Sequence, residues 1–180
     1  LTLGQPKLTD VVAIGIEENE LLRLAASAER GSEHALGEAL VAAAKERGIA
    51  QESSQGFEAA PGQGIVAQVD GRAVAIGNRA LMEDRQVSLD GSLDRATDLA
   101  AEGKTPMFVA VDGALAGIVA VADTLKPEAR EVTTRLQSMG LEVIMLTGDN
   151  RRTAEAIARQ LGIDRVISEV FPQDKAATVK

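Results

Sequence analysis

The chain has 180 residues and a formal net charge of −8, with no cysteine, one histidine (His34) and three aromatic residues, all phenylalanine. This composition excludes disulfide scaffolds, thiolate metal sites, cysteine nucleophiles and multi-histidine metal centres. The acidic balance and the few aromatic rings argue against nucleic-acid binding, and the lack of a signal peptide or of a bilayer-length apolar run predicts a soluble chain.

The charge is distributed unevenly along the chain. Residues 1–121 carry 18 acidic and 10 basic side chains, whereas residues 122–180 carry nine of each. A shift of this size is typical of a domain boundary. We therefore expect one domain at 1–121 and another at 122–180.

The first part is predicted to be an antiparallel sheet flanked by helices. Two β-rich segments each contain an Asp-Gly pair, Asp70-Gly71 and Asp112-Gly113, which is a strong signal for a tight hairpin. The predicted elements are, in chain order, a strand Leu8–Ile14, a helix Glu18–Glu29, a helix from an N-cap at Ser32 to about Arg47, a hairpin Ile65–Ile76, helices Ala80–Gln86 and Leu93–Glu102, and a hairpin Met107–Val121. Hairpins with helices beside them indicate an α+β layer.

The second part alternates helices and strands. Its predicted elements are a helix Lys126–Met139 with Pro127 in its first turn, a strand Glu142–Leu146, a helix Thr153–Leu161, a strand Arg165–Ser168 and a helix opened by Pro172. This alternation indicates a doubly wound parallel sheet. Because two strands do not complete such a domain, we expect its other strands to lie outside the sequence given.

A candidate phosphate site follows the first of these strands. Thr147, Gly148 and Asp149 stand at the strand's carboxyl end, next to a helix N-terminus that favours anions. Thr147 could bond a phosphoryl oxygen and Asp149 could hold a Mg²⁺-bound water, but the same residues could simply cap the helix. Lys175 follows the next strand, where its ammonium group could reach the same sheet edge. A Thr followed by a Lys in these positions resembles motifs of haloacid dehalogenase-like phosphotransferases.

Three segments of the second part, in order and spacing, resemble the phosphorylation domain of P-type ATPases. They are Asp123-Thr124-Leu125-Lys126-Pro127-Glu128-Ala129, Met145-Leu146-Thr147-Gly148-Asp149-Asn150 and Pro172-Gln173-Asp174-Lys175. The resemblance implies that Thr147 and Lys175 hold the phosphoryl group and that Asp149 organises the site. It places Asp123 at a hinge between the domains, beside the nucleotide.

Motifs in the first part indicate a subclass. Glu29, Ser32-Glu33-His34, Gly62, Gly64 and Asn78 together resemble the nucleotide-binding domain of the heavy-metal (P1B) branch. Taken singly, each has an ordinary explanation, since a lone histidine often caps a helix and glycine pairs often mark turns. The sequence departs from the branch at Ala35, where the branch has proline, and at Val66, where some members have a third glycine.

The resemblance implies a role for each of these residues. His34 would stack on or hydrogen-bond adenine as its principal ring, and Glu29 would accept a hydrogen bond from the exocyclic amine. Gly62 and Gly64 would let the backbone approach the nucleotide. Asn78 would either bond the ribose or order the loop. No metal site is predicted within the chain itself.

The predicted function is the ATP-binding cytoplasmic loop of a membrane-embedded P1B ATPase, with copper export as the expected transport. ATP and Mg²⁺ are the implied cofactors, and the transmembrane and actuator domains of the same polypeptide and the transported metal are the implied partners. The family's phosphorylated Asp lies in an Asp-Lys-Thr-Gly-Thr motif, which this sequence lacks, so the chain alone is expected not to turn over ATP. The alternatives are a soluble haloacid dehalogenase-type phosphatase with a large cap and a non-catalytic adenine-nucleotide-binding module.

Overall fold

The computed structural model describes residues 2–32, 34–147, 151–168 and residue 170. Its strands are β1 (Thr2–Ala13), β2 (Gln55–Ala60), β3 (Gly64–Val69), β4 (Arg72–Gly77), β5 (Thr105–Val111), β6 (Ala114–Leu125), β7 (Ile144–Leu146) and β8 (Arg165–Ile167). Its helices are α1 (Glu18–Glu29), α2 (Ala35–Glu46), α3 (Arg79–Asp84), α4 (Leu93–Ala101), α5 (Ala129–Ser138) and α6 (Arg151–Leu161).

Six strands form one antiparallel sheet in the order β1-β6-β5-β4-β3-β2. Both predicted hairpins are confirmed, because β3 pairs with β4 and β5 pairs with β6 through the two Asp-Gly turns. Asp70 and Asp112 have φ values of 51° and 52°, the left-handed conformation that such two-residue turns require. Asp112 also links the hairpins, because its Oδ1 accepts a hydrogen bond from the Ala73 backbone N–H at 2.9 Å.

Helices cover both faces of this sheet. Alternate residues of β5 enter different cores: Met107 and Val109 lie on the α1–α2 side, and Phe108 and Ala110 lie on the α3–α4 side. This two-residue period explains why the central strands are apolar almost throughout. The antiparallel sheet flanked by helices is therefore confirmed.

The second part contains the predicted parallel pair, since β7 and β8 run parallel with Met145 opposite Val166. Helices α5 and α6 pack with this pair around a third core that includes Ala154 and Leu161. The strand β6 continues to Leu125, past residue 122, so the boundary between the two parts stays a prediction. The helix predicted from Pro172 lies outside the described residues.

Several predicted boundaries were wrong. The strand β1 begins at Thr2 and not at Leu8, although Gly4 and Pro6 interrupt its pattern, because an irregular register between Thr2 and Pro6 accommodates them. The helix α5 begins at Ala129, after Pro127, and not at Lys126. The strand β2 was not predicted at all, because it is an edge strand with five exposed residues and no alternation of buried positions.

Candidate functional site

Most of the predicted nucleotide-binding residues line one cavity of about 700 Å³. Its volume falls in the range of about 300–1,000 Å³ that small-molecule sites occupy. The cavity lies where α1 ends and α2 begins, and the loops that follow β2 and β4 form another part of its wall. The predicted residues that line it are Glu29, His34, Gly62, Gly64 and Asn78.

Glu29 is the last residue of α1 and is only 6% exposed. Burial raises the pKa of its carboxyl group, and a hydrogen bond with Ser32 and the proximity of His34 offset this only in part. Its Oε2 atom is buried and has no hydrogen-bond partner among the described residues. A buried acceptor without a donor costs about 1–3 kcal/mol, so a ligand that donates a hydrogen bond here would stabilise the site.

His34 is the N-cap of α2, the position that was predicted for Ser32. The Leu36 backbone N–H donates to His34 Nδ1 at 3.3 Å, and the His34 backbone N–H donates to Ser32 Oγ at 3.2 Å. In the neutral ring this arrangement leaves the proton on Nε2. His34 has φ −86° and ψ 134°, the extended conformation that a proline at position 35 would impose, so Ala35 does not disturb its backbone. Glu33 lies outside the described residues.

Asn78 joins the two loops on the other side of the cavity. Its Nδ2 donates to the Gly62 carbonyl at 2.8 Å, and its Oδ1 accepts from the Leu81 N–H at 3.2 Å as the N-cap of α3. Its own N–H donates to the Gln63 carbonyl at 2.8 Å. Of the two predicted roles for Asn78, these contacts support ordering of the loop.

The two glycines of the loop are required for different reasons. Gly62 has a φ of +74°, but a Cβ there would meet nothing within 4 Å, so it is the backbone conformation that favours glycine. Gly64 has a φ of +149°, and a Cβ there would overlap the Ile76 carbonyl oxygen. The close approach that Gly64 permits is therefore the pairing of β3 with β4, although the residue also lines the cavity.

Phe57 on β2 is a cavity residue that sequence reasoning missed. Its side chain lines the cavity and is 38% exposed, and a Cβ at Gly31 would lie 3.2 Å from Phe57 Cδ2. The described part of the cavity wall thus contains a second ring in addition to that of His34, and the expectation that His34 is the principal ring available to a base stays a prediction. The signal was absent because Phe57 lies on the unpredicted edge strand.

The remaining predicted residues lie elsewhere. Asp123, near the end of β6, accepts a hydrogen bond from the Gln5 N–H at 3.1 Å and is not among the residues that line the cavity. Thr147 follows β7 directly, as predicted, and its N–H donates to the Ile167 carbonyl at 3.0 Å. Asp149 and Lys175 lie outside the described residues. Their proximity to Thr147 stays a prediction.

The part of the chain that the structure describes contains neither a cluster of metal-ligand side chains nor a membrane-spanning helix. No group of three or more His, Cys, Asp and Glu side chains there is placed to hold a metal ion. The predicted Mg²⁺ contact, Asp149, is not among those residues. None of the described helices is both long and apolar enough to cross a bilayer.

Comparisons with known proteins identify the family. The family model described as haloacid dehalogenase-like hydrolase matches residues 1–180. The chain belongs to the haloacid dehalogenase-like hydrolase family. A copper-exporting P-type ATPase of Bacillus subtilis (strain 168) is 50% identical to this chain over 180 residues. The match covers 99% of this chain and 22% of that protein. A copper-transporting P-type ATPase of Rhizobium leguminosarum bv. viciae is 49% identical, and the chain covers 21% of its length.

Solved structures agree with these relatives. The structure of a zinc-transporting PIB-type ATPase matches with a TM-score of 0.85 and 34% sequence identity. The match covers 99% of this chain and 29% of the chain of that ATPase. The N-domain of HMA6, a copper-transporting P-type ATPase, matches with a TM-score of 0.56 and 27% identity, covering 66% of this chain and 99% of that one. The predicted resemblance to heavy-metal P-type ATPases is confirmed, and the chain spans only a minor part of the full-length relatives.

Proposed function

We propose that this chain binds ATP in the cavity and serves as the nucleotide-binding segment of a metal-transporting P-type ATPase. The observation that carries the proposal is the Glu29 carboxylate: Glu29 lines the same cavity as His34 and Phe57, and its buried Oε2 has no donor among the described residues. An acceptor beside two rings in a concave site is suited to a flat base with an exocyclic amine.

The polarity of Glu29 favours adenine over guanine. Adenine presents an amino group at C6 that can donate to a carboxylate, whereas guanine presents a carbonyl oxygen that a carboxylate repels. A site built to pair with a donor rejects a ligand that leaves the buried acceptor unpaired. ATP should therefore bind more tightly than GTP.

The charges around the cavity favour recognition of adenosine rather than of phosphate. The described residues that line it include no lysine or arginine, and residues 1–121 carry all of the net charge of −8. In the proposal the phosphates are met by the electrically neutral residues 122–180, through Thr147, Asp149, Lys175 and Mg²⁺. Mg²⁺ would neutralise charge on the phosphates, and phosphoryl transfer depends largely on such positioning and electrostatics.

For the whole protein we propose copper export. The chain would lie at the cytoplasmic face of a membrane, and its partners would be the transmembrane and actuator domains of the same polypeptide. The relatives whose printed names specify copper support this metal. The match to a separate N-domain that covers 66% of the chain supports a nucleotide-binding domain at about 1–121. A soluble phosphatase with a large cap would use Thr147 and Lys175 but gives no reason for the convergence of Glu29, His34 and Asn78.

Calorimetric titration of the chain with ATP and GTP tests ATP binding. We expect tighter binding of ATP, and His34→Ala should weaken it about tenfold, the effect of losing one base-stacking ring. The control is Glu46→Ala, an exposed position at the other end of α2, which should bind ATP like the wild type. Equal affinity for ATP and GTP, or no loss in His34→Ala, would remove the adenine-binding role.

A further inference from the structure

Helix α2 contains a glycine at its third residue, Gly37, which is buried. Glycine is among the least favourable residues in a helix, since it loses more backbone entropy on folding than alanine does. Its presence in the first turn of a 12-residue helix therefore calls for a reason.

The reason lies in the space that Gly37 leaves. A Cβ at this position would overlap Glu29 Oε2, and it would lie 3.0 Å from Glu29 Cδ and 3.2 Å from Ser32 Cβ. The carboxylate of Glu29 therefore occupies the volume that any other residue at position 37 would fill. This is the carboxylate of a residue that lines the cavity, and its Oε2 is buried without a partner among the described residues.

We propose that Gly37 is a positioning residue for base recognition, because its missing side chain admits the Glu29 carboxylate to the place where it meets the exocyclic amine of adenine. The inference rests on the proposed function. The atoms that a Cβ would displace are the end of a flexible side chain, so Gly37→Ala should move the carboxylate and leave the helix intact. The variant then loses selectivity for the base rather than the fold.

The test compares the wild type, Gly37→Ala, Glu29→Ala and the double variant by calorimetry with ATP and GTP. Gly37→Ala should lose ATP affinity about tenfold, as Glu29→Ala does, with little change for GTP. In the double variant, Gly37→Ala should add no further loss, because the group it displaces is already absent. Glu38→Ala, at the next and exposed position of α2, is the matched control and should bind like the wild type.

A second measurement needs no nucleotide. The pKa of Glu29, followed by carboxyl NMR, should be raised in the wild type and should return towards the ordinary glutamate value in Gly37→Ala, because the displaced group meets water. If Gly37→Ala fails to fold while the double variant folds, the space at Gly37 serves the fold and not base recognition, which overturns the proposal.

The outcomes separate the two proposals. If the wild type does not bind ATP, the proposed function fails, and the NMR measurement still decides whether Gly37 positions Glu29. If the wild type binds ATP and Glu29→Ala weakens it, but Gly37→Ala binds ATP like the wild type and keeps the raised pKa, the positioning role of Gly37 is overturned.

Discussion

The six-stranded sheet and the two-stranded parallel sheet differ in how completely they cover their apolar surface. Both faces of the large sheet are packed under helices, and the central strands β5 and β6 are mostly buried. Among the described residues, the shorter region around the parallel pair exposes as many large apolar side chains as the longer region of the large sheet, and exposes them further: 40% to 68% for Val132, Met139, Leu141 and Ile144, against 38% to 46% for Leu3, Ile14, Phe57 and Leu93.

The two regions also have different parts in the proposed chemistry, base recognition in one and phosphoryl transfer in the other. The described residues that line the cavity all belong to the large sheet, its helices and the loops between them, so base recognition can be tested on this chain by itself. The residues proposed for phosphoryl transfer belong to the parallel pair and to segments beyond it. Changes in the cavity should therefore alter ATP binding, and changes around the parallel pair should not, except at Thr147, Asp149 and Lys175, which are proposed to meet the phosphates.

The largest expected effect comes from Gly64→Ala. The added Cβ would overlap the Ile76 carbonyl oxygen and lie 2.6 Å from Gly77 Cα, both backbone atoms that cannot move aside. The free energy of unfolding should fall by about 4 kcal/mol or more, with loss of ATP binding. Chemical denaturation and calorimetry measure the two effects.

The control for Gly64→Ala is Gly62→Ala, at a positive φ but in open space. It should cost only about 1–2 kcal/mol, the price of the left-handed conformation alone. Equal losses in the two variants would show that backbone conformation, and not the close pairing of β3 with β4, explains the requirement for Gly64.

A smaller effect is expected for Asn78→Ala. The variant loses the N-cap of α3 and the hydrogen bond to the Gly62 carbonyl, so the free energy of unfolding should fall by about 1–2 kcal/mol. Asn78→Asp should restore the cap but not the donor to Gly62. If Asn78→Asp regained full ATP affinity, the loop contact would have no part in binding.

The effect of Glu29 on stability should depend on pH. Burial raises the pKa of Glu29 in the folded state. At pH values between its unfolded and its folded pKa, the folded chain therefore retains a proton that the unfolded chain has lost. The stability that this group contributes is present below the unfolded pKa and is lost as the pH rises through the raised folded pKa. Glu29→Gln should therefore be more stable than the wild type at neutral pH but not at low pH. Thermal unfolding across this range checks the sign, and a wild-type advantage at neutral pH would contradict it.

The smallest effect is expected around the parallel pair. Met139 is 68% exposed, so Met139→Gln should change the free energy of unfolding by less than about 0.5 kcal/mol and leave ATP affinity unchanged. Denaturation and calorimetry on this variant test the separation itself. A clear loss of ATP affinity in Met139→Gln would show that the surface around the parallel pair contributes to ATP binding, and it would contradict the prediction.

Local sequence signals predicted the elements with strong turn or periodic patterns. The Asp-Gly pairs at 70–71 and 112–113 fixed both hairpins, and the apolar spacing of Glu18–Glu29 predicted α1 with its observed bounds. The edge strand β2 could not be found, because its exposed residues carry no alternation. Phe57 was missed for the same reason, because its place in the cavity depends on the pairing of β2 with β3.

The candidate site was predicted as a set of residues but not as a geometry. The resemblance named Glu29, His34, Gly62, Gly64 and Asn78, and the structure brings all of them to one cavity. The resemblance left open whether Asn78 bonds the ribose or orders the loop, and it did not indicate that Gly37 leaves room for Glu29. The role of Asn78 depends on its hydrogen bond to the Gly62 carbonyl, 16 residues away, and that of Gly37 on the packing of α2 against the end of α1.

The most direct test of ATP binding in the cavity is a titration of the ¹⁵N-labelled chain with ATP, followed by NMR. The proposal predicts that the backbone signals that shift most belong to the cavity wall, including Gly31, Phe57 and Gly62, and that GTP at the same concentration shifts them less. Shifts confined to residues 122–180, or no shifts at millimolar ATP, would contradict the assignment of the cavity as an adenine site.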